Sequence, residues 1–343
     1  MHFIKSETRK QMLLVFGATV LSGALMLDAA QAQDKTYVMK ISTPTLNAAP
    51  DRFAKDFAAA VEKDSGGRIK AEVYPASQLG SIPRQIEGTQ FGAIQCVVVP
   101  PEFFVGIDER SEVLAAPGLV SSMAQGQRVA ADPEVLKLML GIGGDKGLHG
   151  VGLFMAEPNE VIAKNAIRHI ADFKGKKLRI FASDFQSVAF QRLGVTPVAM
   201  SPGDVLAAIQ QGSLDGATAG VELLNGLHFA DAAKYITMSA HSSIFIIAEV
   251  SKKWYDSLPA DLQQIVDRAG ANVSLAINPE AVEILEGARK GWVNAGGELI
   301  DLPPDEQATL IKTLASVGED VSKTKPKVSD AYQVVVAAAQ RGK

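Results

Sequence analysis

The chain has 343 residues, of which 47% are hydrophobic and 21% charged, enough to bury one large core or two medium-sized cores. Its formal net charge of −4 argues against the basic surface that nucleic-acid binding requires, so no nucleic-acid partner is expected. The single cysteine, Cys96, excludes an intramolecular disulfide and a metal site built on paired cysteines. Its apolar surroundings predict a buried core residue.

Residues 1–32 have the pattern of a cleavable signal peptide. A basic segment precedes an apolar run at 12–27, and Ala30 and Ala32 form a small-x-small cleavage site. A membrane anchor is the alternative, but the run is short and no basic cluster follows it. We therefore expect export to the periplasm with cleavage near Ala32. An exported chain without disulfides fits that compartment.

From residue 37 onward, predicted strands alternate with predicted helices. The strands expected in the first half of the chain are 37–42, 69–73, 93–99 and 150–155, the last resuming at 160–163 after an interruption at 157–159. Helical periodicity lies between them, and the glycine-rich segment 141–147 follows a helix, which predicts a helix stop rather than a phosphate-binding loop. The alternation predicts βαβ units and a parallel sheet.

The segment 172–183 reads as a turn, a strand and the start of a helix. Arg179 lies in the strand, and Ser183 with Gln186 three residues later forms a capping box. A helix N-terminus offers free N–H groups to anions, and ligands of open α/β sheets bind at the carboxyl ends of strands. Because the Arg179 guanidinium also matches a carboxylate, we interpret this segment as an anion site. An arginine paired to a structural Asp or Glu is the equal alternative.

The rest of the chain continues the α/β pattern. Further strands are expected at 198–200, 214–220, 235–240, 244–250 and 298–302, with two C-terminal helices near 304–316 and 328–340. The longest helical stretch, 259–295, would extend roughly 55 Å, which exceeds an average domain and predicts a helix that spans two. Pro279 should kink it about one turn upstream.

Sequence patterns typical of enzymes are sparse. The histidines are not spaced for a metal site, and no Gly-x-Ser-x-Gly motif is present. A catalytic triad that folding brings together from Ser242, His241 and Asp215 remains an alternative. His241 is more simply explained as a cleft or core histidine. We expect no catalysis and no cofactor.

Five segments together resemble one family, the periplasmic solute-binding component of TRAP (tripartite ATP-independent) transporters of the DctP type. They are 66–70 (GGRIK), 78–81 (QLGS), 173–179 (FKGKKLR), 207–216 (AAIQQGSLDG) and 251–259 (SKKWYDSLP). Each segment alone is a weak signal, whereas their order and spacing together are specific. The resemblance extends from about residue 37 to beyond residue 303.

The resemblance implies an α/β, two-lobed periplasmic binding protein fold of a type II-like kind, with hinge strands and a long helix spanning both lobes. Residues 33–155 with 243–275 would form lobe I, and 156–242 with 276–316 would form lobe II. Residues 317–343 would be a C-terminal helix that packs on the lobes.

The resemblance also implies a monomer that closes on one small organic acid and delivers it to small and large integral membrane subunits. Arg179 stands where the family arginine binds the ligand carboxylate. Even the conservative substitution Arg179→Lys should therefore abolish ligand binding. Many dicarboxylate and sialic-acid binders carry a second arginine where this chain has Asn159, and Gln-Glu-Asn where it has 217–219 (ATA). A second carboxylate on the ligand would lose its hydration in the cleft without a positive group to offset that cost. We therefore expect a monocarboxylate, for instance an aromatic or keto acid.

Several other residues are candidates for the cleft. Five phenylalanines could line it, although each is more often a core residue: Phe103, Phe104, Phe154, Phe181 and Phe185. Matching loops add Asn47, Pro101, Glu102, Met200, Thr218 and Glu222 to Asn159, Phe181 and His241 as ligand-binding candidates. Glu222 could pair with Arg179, accept from a ligand hydroxyl, or lie on the surface. Alternatives for the whole chain are a periplasmic sensor or scavenger of the same fold and a periplasmic hydrolase.

Overall fold

Residues 35–341 are described by a computed structural model of the protein, in which nine strands form one sheet. The strands are β1 (Tyr37–Ser42), β2 (Ile69–Tyr74), β3 (Cys96–Val99), β4 (Leu148–Ala163), β5 (Lys177–Ile180), β6 (Thr196–Ala199), β7 (Gly216–Ala219), β8 (Tyr235–Ser251) and β9 (Glu298–Ile300). Their order is β2-β1-β3-β8-β4-β7-β5-β6, and β9 pairs with β8.

Helices connect these strands and cover the faces of the sheet. They are α1 (Ala49–Asp64), α2 (Ile82–Phe91), α3 (Met123–Ala131), α4 (Pro133–Met139), α5 (Asp184–Arg192), α6 (Pro202–Gln210), α7 (Val221–Gly226), α8 (Lys252–Tyr255), α9 (Ala260–Asn294), α10 (Pro304–Leu314), α11 (Val317–Ser322) and α12 (Pro326–Arg341). The C-terminal region thus has three helices where periodicity predicts two.

Two long antiparallel strands, β4 and β8, hold the sheet together. The start of β4 pairs with the end of β8, next to β3, and the end of β4 pairs with the start of β8, next to β7. We call β1–β3 with α1, α2 and the segment 100–116 that follows β3 the first half, and β5–β7 with α5–α7 the second half. The expected two-lobed α/β architecture, joined by hinge strands, is confirmed.

The sheet is mixed rather than parallel. β8 runs antiparallel to both β3 and β4, and β4 runs antiparallel to β7. The apolar sequences of these strands gave no direction, because a strand buried on both faces shows no alternation. The two predicted pieces of β4 are one strand with register shifts, and the two predicted pieces of β8 are one strand in which Ala240 has φ of 40°.

Helix α9 links the cores of the two halves. Its first part, including Val266 and Ile277, packs in the core that contains Phe53. Its last turns place Leu285 and Trp292 in the core of the second half. Pro279 lies inside α9 without ending it. Among residues 35–341, no helix has both the length and the apolar character to cross a membrane, and the signal peptide expected at 1–32 lies outside this range.

Close packing of α9 on β4 depends on a glycine. A Cβ at Gly270 would lie 2.3 Å from the backbone oxygen of Val151, which cannot move without shifting the strand. We expect Gly270→Ala to lower the free energy of unfolding by roughly 1–3 kcal/mol, as overpacking does. Urea denaturation measures this change.

The matched control is Gly287→Ala on the same helix, where a Cβ would meet nothing within 4 Å. The control should be neutral or slightly stabilising, because alanine is the better helix former. Equal effects of the two substitutions would contradict the packing argument.

Candidate functional site

A small cavity of about 30 Å³ lies between the two halves of the sheet. The first half contributes Pro44, Thr45, Pro50, Ile82, Val98, Pro100 and Phe103, the second half contributes Phe181, Pro202, Ala219, Gly220 and Leu223, and the two long strands contribute Ala156, Glu157, Ile244 and Ile246. Nearly all of these side chains are apolar. Since ligand pockets usually measure several hundred Å³, the cleft is nearly shut.

Arg179 lies beside this cavity, at the carboxyl end of β5. Its side chain is buried, with Nε donating to the Met200 carbonyl at 2.7 Å and Nη1 donating to the Thr218 carbonyl at 2.9 Å. The guanidinium stands 4.5 Å from the centre of the Phe181 ring. Nη2 has no hydrogen-bond partner. Two carbonyls therefore fix the plane of the guanidinium and leave one nitrogen to donate.

The electrostatics of Arg179 favour an anion. Burial lowers the pKa of its guanidinium to about 9, and the Glu102 carboxyl acts in the opposite direction. Burial also raises the pKa of Glu102 to about 8, and its Oε2 has no partner. Within residues 35–341, no ion pair of 4.0 Å or less joins Arg179 to a carboxylate, which does not favour the alternative of a structural ion pair.

The polar groups beside Arg179 form a short network. Gln186 Oε1 accepts from the Phe181 N–H at 3.1 Å and from the Thr218 hydroxyl at 3.3 Å. Ser183 caps α5 by accepting from the Gln186 N–H, but Gln186 turns to Phe181 instead of completing the capping box. Asn159 donates to Ser242 Oγ at 3.3 Å, and its own oxygen has no partner.

Two glutamates cap helices next to the cavity. Glu157 Oε2 accepts from the Glu222 N–H at 3.0 Å, at the start of α7. Glu222 Oε2 accepts from the Ala49 N–H at 2.7 Å, at the start of α1. Burial raises the pKa of both, that of Glu222 to about 8. Glu222 is therefore neither paired with Arg179 nor on the surface, and Glu157 is a cleft residue that sequence reasoning missed.

The remaining candidates are spread more widely. Met200 contributes its carbonyl, Pro101 is buried beside the lining residue Pro100, and Asn47 is exposed. His241 does not line the cavity, because its Nδ1 faces Ser239 Oγ at 2.8 Å and its ring meets Phe190 edge-on. Asp215 is exposed and accepts from the Lys177 N–H, so the side chains of Ser242, His241 and Asp215 do not form a triad.

Only two of the five candidate phenylalanines reach the cavity. Phe103 and Phe181 both line it, and their rings form a tilted pair with centres 5.9 Å apart. Phe104, Phe154 and Phe185 are core residues. The aliphatic lining residues have no sequence signal that separates them from the core. Within the described residues, no group of three or more His, Cys, Asp or Glu side chains is placed to hold a metal ion.

The profile of a family described as bacterial extracellular solute-binding protein, family 7 (DctP), matches residues 43–324. The chain belongs to this family. The C4-dicarboxylate-binding periplasmic protein DctP of Rhodobacter capsulatus is 27% identical to it over 320 residues, 92% of this chain and 95% of that protein. An uncharacterized protein of Salmonella typhimurium, YiiZ, is 30% identical over 210 residues, 61% of this chain and 64% of that protein.

Solved structures share the fold of this DctP-family chain. A TRAP periplasmic solute-binding protein from Desulfovibrio salexigens with bound orotic acid has a TM-score of 0.84 and 19% identity, covering 90% of this chain and all of that one. The sugar acid binding protein DctPAm from Advenella mimigardefordensis, in complex with galactonate, has a TM-score of 0.84 and 21% identity, covering 90% and 99%. The resemblance seen in the sequence is thereby confirmed.

The raised pKa of Glu102 predicts a pH dependence of stability. Its folded pKa of about 8 lies above the ordinary 4.5, so between these values the folded state keeps a proton that the unfolded state has released. The free energy of unfolding should therefore fall as pH rises from about 4.5 to about 8. Urea titrations at pH 5.5 and pH 8 measure the fall, which Glu102→Gln should reduce.

Glu283→Gln, at an exposed position on α9, is the control for charge removal and should leave the pH dependence unchanged. A Glu102→Gln variant with the same fall in stability as the unsubstituted protein would contradict the assignment of a buried, protonated Glu102.

Proposed function

We propose that this chain is the extracytoplasmic solute-binding subunit of a TRAP transporter and that it captures one small monocarboxylate through Arg179. The observation that carries the proposal is the buried guanidinium, whose Nη2 lacks a partner beside a closed, apolar cleft. A charge-assisted hydrogen bond to a ligand carboxylate would satisfy that nitrogen and neutralise the charge. The ligand would then pass to the membrane subunits of the transporter.

A single carboxylate is favoured because the cleft offers one cation. Thr218 accepts from the guanidinium through its carbonyl, and neither Ala219 beside it on β7 nor Asn159 on the adjoining strand β4 carries a positive charge. The neighbouring acids, Glu102 and Glu157, add no positive charge for a second anionic group. A dicarboxylate would therefore lose hydration of one carboxylate without compensation.

An apolar or aromatic body is favoured by the lining. Phe103 and Phe181 present rings from opposite halves of the molecule, and Ile244, Ile246 and Leu223 complete an apolar surface. Aromatic and keto acids combine such a body with one carboxylate. The R. capsulatus relative is named for C4-dicarboxylates, so this proposal separates the present chain from that protein in ligand class.

The same proposal includes the division into lobes. Residues 33–155 with 243–275 would move against 156–242 with 276–316, and 317–343 would pack on both. The change of partners along β4 and β8 near Ala156 and Ile244 supports a hinge at those positions. The protein would act as a periplasmic monomer without a cofactor, and without a nucleic-acid partner.

Arg179 should decide ligand binding. Native mass spectrometry of the purified mature protein, before and after gentle denaturation, should release a stoichiometric small acid. Arg179→Ala and Arg179→Lys should both weaken binding of that acid roughly 30-fold or more, because a lysine ammonium cannot reproduce the fixed guanidinium plane. Isothermal titration calorimetry measures the loss.

Arg192→Lys is the control, because Arg192 sits at the far end of α5 and bonds Ser316 and Asp320 at the surface. It should bind like the unsubstituted protein. The protein could instead be purified with no acid bound and show no rise in melting temperature with benzoate, phenylpyruvate, 2-oxobutanoate or succinate. That result would favour a sensor, or a ligand that is not an acid. A preference for succinate over the monocarboxylates would refute the assigned ligand class.

The two rings should set the preference for an apolar body. Phe103→Leu removes one aromatic face but keeps the volume nearly filled, so phenylpyruvate should lose roughly 0.5–1.5 kcal/mol of binding free energy relative to 2-oxobutanoate. Competition titrations with the two acids measure the difference. Phe104→Leu, one residue away in the core, should change stability but not the ratio of the two affinities.

A further inference from the structure

Helix α1 begins without a cap from its own segment. Its N-cap residue is Ala48, whose side chain cannot accept a hydrogen bond. The acceptor for the Ala49 N–H comes instead from Glu222, which follows 173 residues later on α7 in the second half. A carboxylate at a helix N-terminus bonds the free N–H groups and interacts favourably with the helix dipole.

The reverse contact lies at the start of α5. Glu112, on the connection between β3 and β4, accepts from the Asp184 N–H at 2.6 Å and from the Ser183 hydroxyl at 3.1 Å. Lys325, just before α12, donates to the other oxygen of Glu112 at 3.0 Å and also pairs with Asp184. A carboxylate of the first half thus caps a helix of the second half.

Both contacts border the cleft. Pro50, next to Ala49, and Phe181, two residues before Ser183, line the cavity between them. Both carboxylates are buried, and neither contact could form if the halves stood apart. In an open molecule the N–H groups and the carboxylates would return to water.

A third feature places α7 close to the first half. A Cβ at Gly226, at the end of α7, would lie 2.2 Å from the backbone oxygen of Leu46. At the start of the same helix, a Cβ at Gly220 would collide with the Glu157 carboxyl. Helix α7 therefore fits between the hinge strand β4 and the 46–49 segment only because both positions are glycine.

We propose that Glu222 and Glu112 are positioning residues for ligand capture, which hold the cleft closed by each capping a helix of the opposite half. Ligand binding requires the closed arrangement, so the apparent affinity falls in proportion to the fraction of molecules that are closed. The affinity readout rests on the proposed function, whereas the closure itself does not.

Closure is measured as the distance between the halves, both in the protein as purified and after dialysis that removes any bound acid. Nitroxide labels at Lys63→Cys on α1 and Gln211→Cys after α6, both exposed positions, report the distance between the halves by pulsed electron paramagnetic resonance. Cys96 is buried and does not compete for the label. Adding Glu222→Ala, Glu112→Ala or Gly226→Ala should lengthen the distance distribution, and Glu283→Ala and Gly287→Ala should leave it unchanged.

The glycine variant protects the test against simple misfolding. Gly226→Ala changes no charge, removes no hydrogen bond and stays compatible with a helix, so a longer distance in a variant with unchanged circular dichroism reports opening. Where Glu112→Ala or Glu222→Ala does not fold, the corresponding glutamine variant, which keeps an acceptor but loses the charge, should show a smaller change of the same sign.

The affinity readout uses the acid released from the purified protein. Glu222→Ala should weaken its binding roughly tenfold, the equivalent of one buried hydrogen bond, mainly through faster dissociation. Unchanged distances in all three variants would contradict the proposal that Glu222 and Glu112 hold the cleft closed. Longer distances together with no bound acid would support that proposal and refute the proposed function instead.

Discussion

A buried guanidinium with one unsatisfied nitrogen is the constraint around which the site is built. Taking the charge of Arg179 out of water is costly, and two backbone carbonyls return only part of that cost. The Phe181 ring beside it adds attraction, but it carries no compensating charge. The site therefore gains most from a small anion that reaches Nη2, and the apolar walls strengthen that contact by excluding water.

In the part of the chain that the structure describes, the acids of the cleft form no ion pair with Arg179. Burial lowers the pKa of the guanidinium and Glu102 is close enough to oppose that shift, but burial raises the pKa of Glu102 itself to about 8. Glu157 and Glu222 have their carboxyl groups directed to the starts of α7 and α1, where they accept backbone hydrogens. Burial raises the pKa of both, which reduces the negative charge they carry in the closed molecule. The cleft can thus be rich in glutamate and still leave its one arginine free for a ligand.

The sequence predicted what depends on neighbouring residues and missed what depends on distant ones. Arg179 and the cap at Ser183 are four positions apart, and the structure has Arg179 in a strand and Ser183 at a helix N-terminus as the sequence predicts. Glu157 of β4, in contrast, caps helix α7, whose Glu222 N–H lies 65 residues later in the chain. No local sequence pattern marks such a pair. The direction of β8 was missed for a related reason: its apolar residues fit a buried strand equally well in either orientation.

Helix α7 is so short that its residues lie close both to the cavity and to the contacts with the first half. Ala219 and Gly220, just before it, line the cavity, Glu222 in its first turn caps α1, and Gly226 at its end abuts Leu46. Arg179 and Gly220 lie in the same half, so a ligand held by them that also contacts Pro50 of the first half would bring Ala49 toward Glu222. Ligand capture and the closing contact would then be one motion, and a ligand too large for the halves to enclose would also keep Glu222 from capping α1.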